Sequence, residues 1–208
     1  MSLQRLFIIV LLISVTGAFA VERDQRSSLA VAINQDLPRG FDLDFIHDLR
    51  FQDGNSTFWK SLSELELSYK VNKYLKIGSG YRYSIYGDKY SERGTFNATF
   101  DTKTGRISHK LRVKYQHDVD SDDAPEKYIR TRYSLSHKRI YGFKPFVDVE
   151  WFYSLNTEQI EKHRQNLGVD RKLTKVTSLV LYYRLQEEIN VNNPEGTGML
   201  GIKFEIEI

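Results

Sequence analysis

Gly201-Ile-Lys-Phe-Glu-Ile-Glu-Ile208 closes the chain with strict alternation. Ile202, Phe204, Ile206 and Ile208 share one face; Lys203, Glu205 and Glu207 share the other. A period of two marks a strand with two unlike faces. In a soluble sheet the apolar face meets a core and the charged face meets water. In a membrane barrel the apolar face meets lipid and the charged face lines the lumen. One strand is compatible with both.

The pattern recurs upstream. In 58–71, Trp59, Leu65, Leu67, Tyr69 and Val71 oppose Lys60, Glu64, Glu66, Ser68 and Lys70. In 75–86, Leu75, Ile77, Tyr81, Tyr83 and Ile85 alternate with Lys76, Gly78, Gly80, Arg82 and Ser84. In 106–117, Ile107, Leu111, Val113 and Tyr115 oppose Arg106, Lys110, Arg112, Lys114 and Gln116. In 143–153, Val147, Val149, Trp151 and Tyr153 oppose Lys144, Asp148 and Glu150. Segments 41–51, 95–101, 128–136, 163–173, 176–186 and 197–208 complete a set of ten strands, most of 10 to 14 residues. Globular strands average about 5–6 residues, whereas a spanning strand needs about 9–11.

Connections sharpen the reading. Short ones (71–74, 102–105, 138–142, 173–175) alternate with longer polar ones (52–57, 87–94, 118–127, 154–162, 187–196). Bacterial outer-membrane barrels have short turns at one end and longer loops at the other. The expectation is an all-β, antiparallel, up-and-down transmembrane barrel of ten strands over 41–208. Residues 28–37, with Leu29, Val31 and Ile33 on one face, form a further strand pattern before Pro38-Arg39-Gly40. Placing it in the lumen or at an edge keeps the even count of such barrels, and recruiting 21–27 as well gives twelve.

The other end of the chain reads as an export leader. A basic stretch to Arg5, an apolar run from Leu6 to Val15 and Ala18-Phe19-Ala20 give the signal pattern, predicting cleavage after residue 20. Segment 21–40 then precedes the barrel. Removing Arg5 with the leader takes the formal net charge from +3 to +2, too small a balance to argue for nucleic acid. The chain has no Cys, so no disulfide staples this exported fold. Ring closure, which pairs every strand edge, supplies stability without one.

Several motifs in this order resemble an uncharacterised outer-membrane barrel family, the domain of unknown function 2490 family. They are Gly80-Tyr-Arg-Tyr83, Lys110-Leu-Arg-Val-Lys-Tyr115, Tyr128-Ile-Arg-Thr-Arg-Tyr133, Phe143-Lys-Pro-Phe-Val-Asp-Val-Glu-Trp-Phe-Tyr153 and Leu181-Tyr-Tyr-Arg-Leu-Gln186, with the closing strand. The resemblance spans essentially the whole chain after the leader. It implies a barrel in a Gram-negative outer membrane, with membrane lipid and the barrel-assembly machinery as partners. It carries no catalytic residue and no cofactor. Ile208 departs from the aromatic residue common at the end of such barrels.

The inward face is the extended constellation. Lys110, Arg112, Lys114, Arg130 and Arg132 make a basic wall; Asp42, Asp44, Asp48, Glu64 and Glu66 make an acidic wall nearly opposite, with Arg82, Asp148, Glu150 and Arg184 also facing in. Opposed signs suit either a lumen filled by ion pairs or a narrow pore with a transverse field. Asp118-Val-Asp-Ser-Asp-Asp123 opens like a calcium loop, but Asp123 stands where the bend needs Gly and Ile129 where the closing Glu belongs, so it reads as a solvated loop. His47, His109, His117, His137 and His163 show no metal-ligand spacing. Ser136 and His137, as strand neighbours, point to opposite faces and cannot pair as nucleophile and base. No enzyme and no metal are expected. Trp59, Tyr69, Tyr83, Tyr115, Trp151, Tyr153 and Tyr183 are expected to face lipid.

Overall fold

The computed structural model describes residues 24–53, 56–121 and 124–208, so the leader lies outside the described residues. Eleven strands follow one another: β1 (Asp24–Leu37), β2 (Phe41–Gln52), β3 (Thr57–Lys70), β4 (Leu75–Tyr86), β5 (Lys89–Thr104), β6 (Ile107–Asp120), β7 (Glu126–His137), β8 (Phe143–Ser154), β9 (Gln159–Lys172), β10 (Thr177–Glu188) and β11 (Gly196–Glu207). Consecutive strands pair antiparallel, and β1 closes the ring against β11. The end of the ring that holds Glu207 is called lower here, and the end that holds Asp24 upper.

The count is eleven, where ten or twelve were expected. The three-residue turn Pro38–Gly40 lays β1 directly along β2, from Leu37 opposite Phe41 to Ser27 opposite Phe51. An odd ring forces one parallel pair. It forms between β1 and β11, with Leu29 opposite Ile202, Val31 opposite Phe204 and Ile33 opposite Ile206. That register keeps both apolar faces outside, while Ala30 and Ala32 make room inside beside Lys203 and Glu205. Parallel pairing is slightly weaker per residue, yet leaving β1 out would expose its apolar face to the lumen and its backbone groups to nothing. Residues 24–27 continue β1 and make no twelfth strand among the described residues, so the ring already includes Asp24–Leu37 ahead of Phe41.

A second difference concerns β5. Residues 87–94, expected as a loop, contain only the turn Gly87-Asp88; the strand resumes at Lys89. Ser91 and Arg93 face inward, so polar residues that look like a loop are lumen positions of a strand. The same holds for Asp118 and Asp120 at the end of β6. Upper connections are therefore shorter than the sequence suggests, and only 189–195 stands out.

The inside–outside division decides what the fold is for. Leu65, Leu67, Ile77, Phe96, Leu111 and Leu181 are each more than 40% exposed on the outer face. They belong to an apolar belt around the ring, far beyond the single scattered residues that a soluble surface tolerates. The largest fully buried side chains are polar: Gln116, Glu150 and Ser68. This is an inverted protein, apolar outside and polar within.

Candidate functional site: the charged lumen

Two bulges at the upper rim re-aim side chains. On β3, Phe58 pairs with Phe51 and Lys60 with Arg50, leaving Trp59 as the extra residue. Trp59 therefore turns into the mouth of the lumen, its ring 4.0 Å beneath the Arg26 guanidinium, and does not face lipid as expected. The other expected lipid-facing aromatics, Tyr69, Tyr83, Tyr115, Trp151, Tyr153 and Tyr183, lie on outward positions of the ladders. On β9, Glu161 is the extra residue opposite the Phe152/Tyr153 step and turns inward. Bulges of this kind are frequent at barrel rims.

Within the ring lie two adjoining chambers. The upper, of about 360 Å³, is walled by Trp59, Tyr182 and a dense set of cations. The lower, of about 410 Å³, has a wall of mixed charge. Arg112, Arg132, Phe146, Asp148, Val180 and Lys203 belong to both walls and form the waist. Two glycines shape this interior. At Gly168 a Cβ would lie 2.6 Å from the Phe146 ring, and at Gly201 it would collide with the Tyr182 ring. Each aromatic ring thus lies over a bare stretch of wall.

Every charged residue singled out on the inward face occupies an inward ladder position, but the pairing differs from two opposed walls. Lys114 is the link between them, its ammonium 3.2 Å from Glu66 and 3.7 Å from Glu64. It reaches across β4 and β5 because Gly78, Gly80, Thr95 and Asn97 leave that arc low. Asp42, Asp48 and Glu64 of the acidic wall are neutralised nearby. Asp42 holds Lys70 at 2.8 Å and Lys76 at 3.3 Å, Asp48 holds Arg50 at 2.9 Å, and Glu64 is tightly paired with Arg82. Lys110 lies 3.8 Å from Asp101, and Asp44 lines the lower chamber.

The arginines of the basic wall converge instead on Glu150. Arg130 and Arg132 approach it at 2.8 and 2.9 Å, Arg164 at 3.3 Å and Arg112 at 3.8 Å. Glu150 is 1% exposed, hidden behind these four guanidiniums. One carboxylate cannot neutralise four cations, so the cluster keeps an excess positive charge. Asp148 accepts from Asn166 at 3.4 Å, and Arg184 donates to the same amide's oxygen at 2.8 Å. Among the described residues Arg184 makes no ion pair.

Sequence reasoning missed Arg93, paired twice with Asp118 at 2.6 and 2.7 Å, because its segment resembled a loop. It also missed Arg164 and Arg50, and it put Lys60 on the polar face of its strand without counting it among the lumen charges. Continuing the period of two through 89–104 and 159–172 would have found Arg93 and Arg164.

Other candidates carry less. Asp118 of the calcium-like stretch is committed to Arg93, and Asp122 and Asp123 lie outside the described residues. Among the described residues no three potential ligands gather round one point. Ser136 and His137 lie on opposite faces. A hydroxyl–imidazole pair does occur elsewhere, on the outer face, where His47 Nδ1 lies 3.0 Å from Ser63 Oγ. Among the described residues no third group orients this His47 ring, as nucleophilic catalysis requires.

Among solved structures, two are similar in fold. The KdgM porin is 15% identical with a TM-score of 0.50, the alignment covering 82% of this chain and 87% of that one. A KdgM porin in complex with disordered oligogalacturonate is 16% identical with a TM-score of 0.51, covering 86% and 95%. At these identities the likeness is one of fold. No curated protein matches the sequence. The family model described as "Protein of unknown function (DUF2490)" matches residues 28–196, and the chain belongs to that family.

Proposed function

We propose that this member of the family is an outer-membrane barrel whose lumen serves as a narrow pore for small solutes or ions. The observation that carries the reading is the inversion of polarity around a closed ring. An apolar belt encloses two adjoining polar chambers, which a soluble fold has no reason to build. The leader pattern in the sequence and the fold likeness to porins support export to the outer membrane, with the upper end facing outward. Lipid and the barrel-assembly machinery are the partners this reading requires.

A second reading has its own support. The four arginines locked on Glu150 are also what a structural plug would look like, since small barrels fill readily with side chains. Single-channel recording of the refolded protein in a planar bilayer separates the two. Discrete conductance steps are expected for the pore. A silent bilayer, with correctly folded protein inserted, would favour the plug.

A further inference from the structure

We infer that the upper chamber is a binding site for a small organic polyanion carrying two or more carboxylate or phosphate groups. The inference deepens the pore reading and rests on it for access from outside. It stands on charge that the protein does not neutralise itself. Twelve Lys and Arg line the upper chamber against five Asp and Glu, and Glu150, Asp24, Glu66 and Glu205, which pair with lining cations from outside it, bring the acids only to nine. The lower chamber has six of each.

Particular groups hold the surplus. Arg112, Arg132 and Arg164 share one carboxylate with Arg130, and Arg184 faces only an amide oxygen and the Tyr182 ring. The Nε groups of Arg130 and Arg132 are buried without a partner, although Arg130 is 5% exposed. Unpaired buried cations are costly and call for a counter-charge. These guanidiniums come from β6, β7, β9 and β10, so a single monovalent ion cannot meet them all. Forked guanidiniums bind carboxylate and phosphate with two parallel bonds. Phe146, Val180 and the Tyr182 face supply apolar surface at the floor, which favours an organic anion over an inorganic one. The volume falls within the range of small-molecule sites, roughly 300–1,000 Å³.

Trp59 at the mouth gives a direct readout, because Trp151 is the other of the two tryptophans and Trp151→Phe leaves Trp59 alone. Trp59 fluorescence and calorimetry would be followed in detergent while citrate or fructose 1,6-bisphosphate is added, with acetate and chloride as controls at matched ionic strength. Saturable binding of either polyanion and none of the controls is expected. Arg184→Gln should weaken it about tenfold or more, the effect of losing a charge-assisted hydrogen bond. Glu150→Gln, which removes the internal competitor, should tighten it. A purely structural cluster predicts no such opposite signs. Polyanions binding no better than acetate, or Arg184→Gln leaving their affinity unchanged, would overturn the inference. Binding without conductance would instead remove the pore and leave the chamber.

Discussion

The two chambers of one lumen solve the same problem differently. In the lower chamber each sign answers the other, with Lys110 near Asp101 and Lys203 on Glu205. In the upper chamber four arginines crowd one buried glutamate and others line the wall unneutralised. Balanced pairs hold a wall together. An unbalanced cluster keeps a field in the path, and confined low-dielectric walls focus such a field on passing ions. The contrast teaches that the interior is not uniform packing turned inside out.

Removing the centre of the upper cluster has the largest expected effect. Glu150→Ala leaves four guanidiniums facing each other and should cost ~3–5 kcal/mol, read by urea unfolding in micelles. A result near zero would mean that water already screens the cluster. Reversing the outside comes next. Leu181→Arg on the apolar belt should cost ~2–4 kcal/mol, whereas Ser136→Arg, on the lower chamber wall, should cost far less. Ser68, although it faces inward, is 2% exposed and tightly packed, so Ser68→Arg should disturb the fold.

Smaller effects sharpen the contrast between chambers. The chain has no native Cys, so Ser91→Cys in the upper chamber and Ser136→Cys in the lower are clean reporters. The ratio of anionic to cationic thiol-reagent rates should be several-fold higher at position 91, reflecting local potential. Equal ratios would erase the distinction. Arg112→Ala should change stability by less than about 1 kcal/mol, because three closer arginines remain on Glu150. On the proposed pore reading it should still shift selectivity toward cations.

The faces of most strands were legible from the sequence, because period two survives wherever a strand separates lipid from lumen. The ring count was not. The even-number rule argued against a parallel seam, and nothing in 28–37 announces that Leu29 will line up with Ile202. Strict period two puts Trp59 on the lipid face, because nothing in the sequence marks it as the extra residue of a bulge that turns inward. Ser91, Glu92 and Arg93 have a loop's composition, which hides the start of β5 at Lys89. Partner choice was the least legible. Which arginines reach Glu150 depends on ring curvature and on the low arc made by Gly78 and Gly80, and linear spacing contains neither.

The central claim is that the lumen conducts and that its upper chamber carries a surplus of positive charge. Its most direct test is the reversal potential of single channels in a salt gradient, at low ionic strength where the field is least screened. Clear anion selectivity is expected, diminished in Arg184→Gln. Cation selectivity, or a reversal potential unmoved by that substitution, would contradict it.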